Sequence, residues 1–281
     1  MKRTGMLMAV LAMTSLFFVG TASAQNASKD AKKDAPAAAP APAGKRPPQA
    51  KTQPEFDAYS ATVASPTPEA MEKAADDFAT KFPDSELKIL IYKQVMRTYQ
   101  NANNADKTAD MGQKALALDA DDPEALVDVA QAIAERTRST DLDKDQKYAD
   151  AQKYAEKALQ TVETDLLVST GTPQDKIDQF KAYLRSTAYG ILGAVYYGRD
   201  TKADYGKAEG YLRQSIDALP DQPDPVTMLR LAIALDKQDR YTDALTEINK
   251  VVQMTKEGSV VGDTARREQS RLQSLTKDLI K

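Results

Sequence analysis

Residues 225–258 read PVTMLRLAIALDKQDRYTDALTEINKVVQMTKEG and contain the clearest structural signal in the chain. Four apolar residues in this stretch recur at the spacing i, i+3, i+4, i+7, which places them on one face of an α-helix. A second apolar face follows, from Tyr241 to Val252. The stretch therefore predicts two helices joined by a short turn. The four residues of the first helix are Met228, Leu231, Ala232 and Leu235.

The first-helix pattern occurs three more times upstream. Two of these copies start 34 residues apart, at Tyr92 and Leu126. The third position is Ala, Gly and Ala in the last three of the four sets, and a small residue there lets a neighbouring helix approach closely. A recurring unit of this length indicates a repeat protein built from stacked helix pairs. The upstream sets are Tyr92, Val95, Met96 and Tyr99; Leu126, Val129, Ala130 and Ile133; and Tyr189, Leu192, Gly193 and Tyr196.

A second pattern, Tyr-x-x-Ala, follows three of the four sets and begins at Tyr148, Tyr205 and Tyr241. It marks the second helix of each pair. Clusters of Asp and Pro at 121–123 and 220–225 are turn signals, and they separate one unit from the next. The order of first helix, second helix and turn is therefore the same in successive units.

Three regions depart from this regular order. An insertion around residues 137–146 separates the two helices of one unit, and residues 175–188 are predicted to lengthen the first helix of the next. The first unit, at about 56–83, matches the pattern only weakly. These departures predict that the helices differ in length while the stacking continues.

The units resemble the tetratricopeptide repeat (TPR), in a form typical of exported bacterial proteins. The resemblance implies an all-α, right-handed superhelical solenoid of tetratricopeptide-type helix–turn–helix repeats, with about 4–5 units in residues 53–258. Residues 259–281 would form a C-terminal capping helix that covers the last unit. The best matches to the family pattern are Leu192-Gly193, Tyr196, Ala208 and Pro220, and the apolar positions of the cap are Val261, Ala265, Leu272, Leu275 and Leu279.

The N-terminal residues predict export. Residues 1–24 have the form of a signal peptide, with Lys2-Arg3, an apolar segment at 6–20 and an Ala-x-Ala cleavage site at 22–24. The apolar segment is shorter than the roughly 20 residues that span a bilayer, so cleavage would leave no stable membrane span. Residues 25–52 are rich in Ala, Pro and Lys and are predicted to form a disordered linker. We therefore expect a periplasmic or secreted protein of a bacterial envelope.

The composition argues against an enzyme. The chain has no Cys, His or Trp, so nucleophilic triads and thiolate or imidazole metal ligands are missing. The net charge of −3 and the interspersed charges disfavour nucleic-acid binding. We expect no cofactor, no metal and no catalytic residue. Asp141, Asp143 and Asp145 match the start of a calcium-binding EF-hand loop, but Gln146 and Gln152 stand where that loop needs Gly and Glu.

By the same resemblance, the first helices line a concave groove that binds a peptide. Lys93 matches the lysine of a carboxylate clamp known in the family, but Arg97 and Gln131 replace its asparagines, so the full clamp is not predicted. The candidate groove residues mix charges, amides and apolar anchors, as a peptide site does. They are Lys93, Arg97, Gln100, Gln131, Glu135, Tyr197, Ile233, Asp236 and Lys237.

Three functions compete at this point. The leading hypothesis is a protein–protein or peptide-binding adaptor or scaffold, with roles in cell-envelope assembly or secretion as examples. The alternative is a carrier that binds a small molecule or glycan in the groove, and a deep apolar pocket would favour it. A third is self-assembly into a homo-oligomer, against which the polar C-terminal helix argues.

Overall fold

The computed structural model of the protein describes residues 45–169 and 171–279, without the side chains of residues 278 and 279. The predicted signal peptide (1–24) and residues 25–44 of the predicted linker lie outside the described residues. Helices dominate the described part of the chain. In order they are α1 (Gln53–Val63), α2 (Pro68–Lys81), α3 (Lys88–Asn101), α4 (Ala105–Leu118), α5 (Pro123–Arg136), α6 (Lys144–Thr161), α7 (Gln174–Arg199), α8 (Lys202–Ala218), α9 (Pro225–Asp236), α10 (Tyr241–Met254) and α11 (Val260–Leu279).

The helix boundaries follow from local turn and cap chemistry. Asp122 and Asp224 each precede a Pro and accept a hydrogen bond from a backbone N–H in the first turn of α5 and α9, at 2.9 Å in both cases. The turns inside three units contain a left-handed Asn or Asp, at Asn103, Asp200 and Asp239, with φ between 56° and 63°. These residue types tolerate that conformation, so the chain can reverse direction there without glycine.

The tyrosine of the Tyr-x-x-Ala pattern supports these turns. The hydroxyl of Tyr205 donates to Asp200, and that of Tyr241 donates to Asp239 at 3.2 Å. In these two units the tyrosine near the start of the second helix therefore contacts the left-handed residue of the preceding turn. This contact accounts for the tyrosine in two of the three copies of the pattern.

The helices stack as the repeat pattern predicts. Each second helix packs against the first helix of its own unit and against that of the next unit. First helices of neighbouring units also approach each other, as α1 with α3, α5 with α7 and α7 with α9, whereas second helices of neighbouring units within the described residues make no comparable approach. Because one set of helices is closely spaced and the other is spread, the solenoid curves with the first helices on its inner face. The predicted all-α repeat solenoid is confirmed.

The irregular regions also contain helices. The long helix α7 starts at Gln174 and includes residues 175–188, which were expected to lengthen it. The loop between Arg136 and Lys144 is shorter than the insertion expected around 137–146, because α6 already begins at Lys144. The weakly matching first unit is a helix pair, α1 and α2.

The C-terminal helix α11 covers α10 and also contacts α9. Ala265 and Leu272 are buried in the same core as α9 and α10, and Val261 is half-buried against it. Leu275 is 37% exposed and contributes less than expected, because only one face of a terminal helix has a partner. Leu279 lies beyond the described side chains. Within the described residues no helix is both long and apolar enough to cross a membrane.

Residues 45–52 differ from the predicted linker, which was expected to lack contacts up to residue 52. Lys45 pairs with Leu167 in an isolated parallel β-bridge, and its ammonium lies 2.8 Å from Asp119 and 2.9 Å from Asp165. Arg46 lies 2.8 Å from Glu86. The segment thus contacts three successive loops between units. The composition predicted a disordered linker because it offers no large apolar side chains to bury. Ion pairs hold this segment instead.

We expect Gly193→Ala to destabilise the protein even though Ala favours helix. A Cβ atom at Gly193 would lie 2.6 Å from the side chain of Leu212 and 3.3 Å from its backbone nitrogen, so α7 and α8 would have to separate. The expected loss is about 1–3 kcal/mol in the free energy of unfolding, measured by urea denaturation. Gly210→Ala is the control, because no atom lies within 4 Å of its added Cβ and a gain of up to about 1 kcal/mol is expected. Equal effects of the two substitutions would contradict the packing argument.

We also expect Lys45→Glu to release residues 45–51 without unfolding the solenoid. The new carboxylate would face Asp119 and Asp165, and exposed ion pairs contribute little to global stability. Trypsin cleavage after Lys51 should become several-fold faster, with little change in the thermal midpoint. Lys73→Glu, at an exposed lysine of α2, is the control. Unchanged cleavage would show that this segment is not held by Lys45.

Candidate functional site

A buried ion cluster joins α3 to α5 on the inner face. The ammonium of Lys93 lies 2.7 Å from Asp122 Oδ2 and 2.9 Å from Glu124 Oε2, and the Lys93 side chain is only 3% exposed. Burial alone would lower the pKa of Lys93, but the charges of Glu124 and Asp122 outweigh it and raise that pKa. Lys93 is therefore not available to a ligand, which corrects its predicted place in the groove. The physical reason is that its charge is neutralised inside the protein.

Arg97 occupies the edge of this cluster, one helical turn after Lys93. Its Nη2 donates to Glu124 Oε2 at 2.7 Å, while its side chain remains 37% exposed. Burial opposes ionisation of Glu124, yet the charges of Lys93 and Arg97 hold the pKa of its carboxyl well below its usual range. Glu124 in turn raises the pKa of Arg97. The guanidinium reaches the surface of the inner face, but its Nε and Nη2 groups already donate to Glu124.

Asp128 is the next residue of this face along α5. Gln100, which was predicted to face the groove, donates its side-chain N–H to Asp128 Oδ1 at 3.1 Å. Asp128 itself is 6% exposed. Burial, and then the charge of Glu124, raise the pKa of Asp128 to about 7, although Arg97 acts in the opposite direction. The cluster thus contains a carboxyl group that changes charge near neutral pH.

The same face of α5 continues with two other predicted residues. Gln131 and Glu135 follow Asp128 at helical spacing, and the amide of Gln131 donates to Glu135 at 3.0 Å. Gln131 is half-buried and Glu135 is exposed. Together with Glu124 and Asp128 they form an acid and amide row, which we call the α5 row.

Tyrosines from the neighbouring first helices border the cluster. Tyr59 of α1 and Tyr183 of α7 are both half-buried. Burial raises the pKa of Tyr59, and Arg97 is near enough to oppose this increase. Burial, followed by the charge of Asp128, raises the pKa of Tyr183. The two rings therefore lie on the α1 and α7 sides of the cluster.

The remaining predicted residues lie around α9 and are not joined to the cluster by any hydrogen bond or ion pair among the described residues. Tyr197 is half-buried and meets Tyr205 edge-on, with 5.8 Å between ring centroids. Ile233 packs against the second core. Asp236 forms an ion pair with Arg271 of the capping helix, at a distance of 2.6 Å. Lys237 is exposed at the C-cap of α9.

Four residues of this surface were not predicted from the sequence: Tyr59, Glu124, Asp128 and Tyr183. Asp128 and Glu124 had a usable signal, because they lie three and seven residues before Gln131 on the same helical face. Tyr183 lies in the extension of α7, outside the aligned repeat positions. Tyr59 lies in the weakly matching first unit. Repeat alignment alone therefore could not place these two tyrosines on the inner face.

We expect Lys93→Met to destabilise the protein, because Asp122 and part of the charge of Glu124 would remain buried without a counterion. The expected loss is about 3 kcal/mol in the free energy of unfolding. Lys237→Met makes the same chemical change at an exposed lysine and should stay within about 0.5 kcal/mol of the wild type. Urea denaturation of both variants checks this. A small effect at Lys93 would mean that water or another cation compensates the carboxylates.

No protein-family model and no curated protein matches the chain. Solved structures that resemble it include the following two. One is TTC0263, a thermophilic TPR protein in Thermus thermophilus, with 14% identity over 76% of this chain and 98% of that chain and a TM-score of 0.47. The other is the assembly chaperone of RpL4, Acl4, with 12% identity, 81% and 98% coverage and a TM-score of 0.42. The helix order and stacking described above show a helical-repeat solenoid.

Proposed function

We propose that the protein is an exported scaffold that binds a protein or peptide on the inner face of the solenoid. The observation that supports this most is the row of half-buried tyrosines on the first helices. Tyr59, Tyr183 and Tyr197 each lie beside charged groups of other first helices or of α11. Half-buried aromatic side chains bordered by charges are typical of surfaces that bind proteins.

An extended ligand fits this surface better than a small molecule. The tyrosines and the α5 row are distributed over helices α1, α5 and α7, so a ligand that contacts all of them must extend across several units. A cleft of about 460 Å³ beside the insertion loop is lined by charged residues, and an ion pair between Arg136 and Asp106 lies in it. A carrier for an apolar molecule would need an apolar pocket instead. The lining of this cleft is Asp106, Glu135, Arg136, Arg138 and Asp141.

We infer a binding role instead of catalysis from the residue types present. The chain has no His or Cys, and the perturbed carboxyl groups of the inner face are paired with cations or with an amide. Acid–base chemistry on a substrate needs a positioned group that is free to exchange protons with it. The charges of the ion cluster instead join two repeats.

Site-specific photo-crosslinking tests the inner face directly. A photoreactive phenylalanine analogue would replace Tyr59, Tyr183 or Tyr197, one at a time, in cells that make the protein. Tyr154 is the matched control, because it is a half-buried tyrosine on the second helix α6. We expect adducts with one or a few defined proteins from the three first-helix positions and none of these from Tyr154. Equal labelling from all four positions would contradict an inner-face binding site.

The export part of the proposal is supported by residues 1–24 and has its own test. Mass spectrometry of the purified cellular protein should show an N-terminus at Gln25, and removal of residues 2–24 should keep the protein in the cytoplasm. A cellular protein that retains Met1 through Ala24 would contradict export by a cleaved signal peptide.

A further inference from the structure

The α3–α5 cluster contains one more carboxylate than it has cations. Lys93 pairs with Asp122 and Glu124, and Arg97 pairs with Glu124. Among the described residues, no Lys or Arg nitrogen lies within 4.0 Å of the third carboxylate, Asp128. The cluster therefore carries a surplus negative charge whenever Asp128 is ionised.

The geometry of Asp128 leaves one of its oxygens unused. Oδ1 accepts from the neutral amide of Gln100 at 3.1 Å, whereas Oδ2 accepts no hydrogen bond from the described residues. Oδ2 is not fully enclosed either, so a group from solvent can still reach it. A carboxylate that is 94% buried and lacks a counterion is costly for the folded protein, and a cation from outside would offset that cost.

We propose that Asp128 Oδ2 receives the ammonium or guanidinium group of a Lys or Arg side chain in the bound peptide. This inference rests on the proposed function, because the peptide must lie on the inner face to reach Asp128. The α5 row adds Glu135 to the same face, and Tyr183 borders it with an aromatic ring that can attract a cation.

The cluster is correspondingly poor at holding an anion. Lys93 is buried with both of its carboxylates, and the Nε and Nη2 groups of Arg97 already donate to Glu124. A ligand carboxylate would have to displace Glu124 and would also meet Asp128. The cluster therefore favours a cation over an anion, because Lys93 and Arg97 are already paired and Asp128 is not.

Binding through Asp128 should depend on pH. Only the ionised form attracts a cation, and the pKa of Asp128 is raised to about 7. Its charged neighbours do not titrate between pH 6 and pH 8, because the pKa values of Lys93 and Arg97 are raised and that of Glu124 is lowered. Tyr183 stays neutral there, since its pKa is also raised, and the chain has no histidine. Affinity for the cation should therefore rise with pH through about 7.

Peptides that bind the untagged mature chain would be selected from a randomised dodecapeptide library at pH 8. The selected peptides are the ligands for the test. We expect enrichment of a Lys or Arg at one fixed position with the wild type. The enrichment should disappear with Asp128→Asn, which keeps the size of the side chain and an oxygen for Gln100. Asp217→Asn, at an exposed residue of α8, removes the same charge elsewhere and should leave the enrichment unchanged.

A selected peptide and its Lys→norleucine or Arg→norleucine form then give the affinities. At pH 8 the wild type should bind the basic peptide about tenfold more tightly, and Asp128→Asn should bind the two equally. From pH 8 to pH 6 the affinity of the wild type for the basic peptide should fall about tenfold, as expected for one group with a pKa of about 7, and that of Asp128→Asn should stay constant.

The outcomes separate this inference from the proposed function. If the selected peptides bind and need Tyr59, Tyr183 or Tyr197 but show no basic residue that depends on Asp128, the inference is wrong and inner-face binding stands. If no peptide depends on the tyrosines either, the proposed function fails together with it. A basic residue that is retained by Asp128→Asn would also overturn the role of Asp128.

Discussion

The burial of Lys93 between Asp122 and Glu124 sets the arrangement of the inner face. Removing an ammonium group from water is costly unless carboxylates lie in direct contact with it, so this pairing holds α5 in position beside α3. Asp122 also caps α5 through the backbone N–H of Ala125. One side chain therefore fixes both the start of a helix and its distance from the preceding repeat. Lys93 and Arg97 are both paired with Asp122 or Glu124. The next carboxylate along α5, Asp128, therefore has no cationic partner among the described residues.

Apolar packing holds the rest of the solenoid, and it depends on the volume of the side chains instead of on their charge. The contact of Gly193 with Leu212 brings α7 and α8 together at a distance that no larger residue permits. Tyr211 lies at the boundary of the two hydrophobic cores and packs against both, so the apolar interior continues through the long unit of α7 and α8. The ion cluster is directional, whereas these cores depend mainly on volume. The ion cluster therefore orients the inner face, and the apolar cores stabilise the stack.

The sequence was sufficient for the helix pairs because each signal is local. Helical spacing of apolar residues, Asp-Pro starts and the Tyr-x-x-Ala pattern all act within about one unit. The extension of α7 followed from the same signals, whereas the predicted insertion overlapped the start of α6. The candidate site was harder to predict, since the role of Lys93 depends on Asp122 and Glu124, which are 29 and 31 residues away in sequence. Repeat alignment could place Lys93 on the first-helix face but could not show that its charge was already paired.

Residues 45–51 are a second region whose contacts could not be predicted from local sequence. Their Ala, Pro and Lys-rich composition indicates a segment without a core, and indeed they bury no large apolar side chain. Their contacts arise because acidic residues from three separate loops, among them Glu86, Asp119 and Asp165, lie along one edge of the stacked units. Such an edge exists only after stacking, so no local pattern could reveal it. In both places the helical stack brings acidic residues together, and basic side chains of the same chain pair with them.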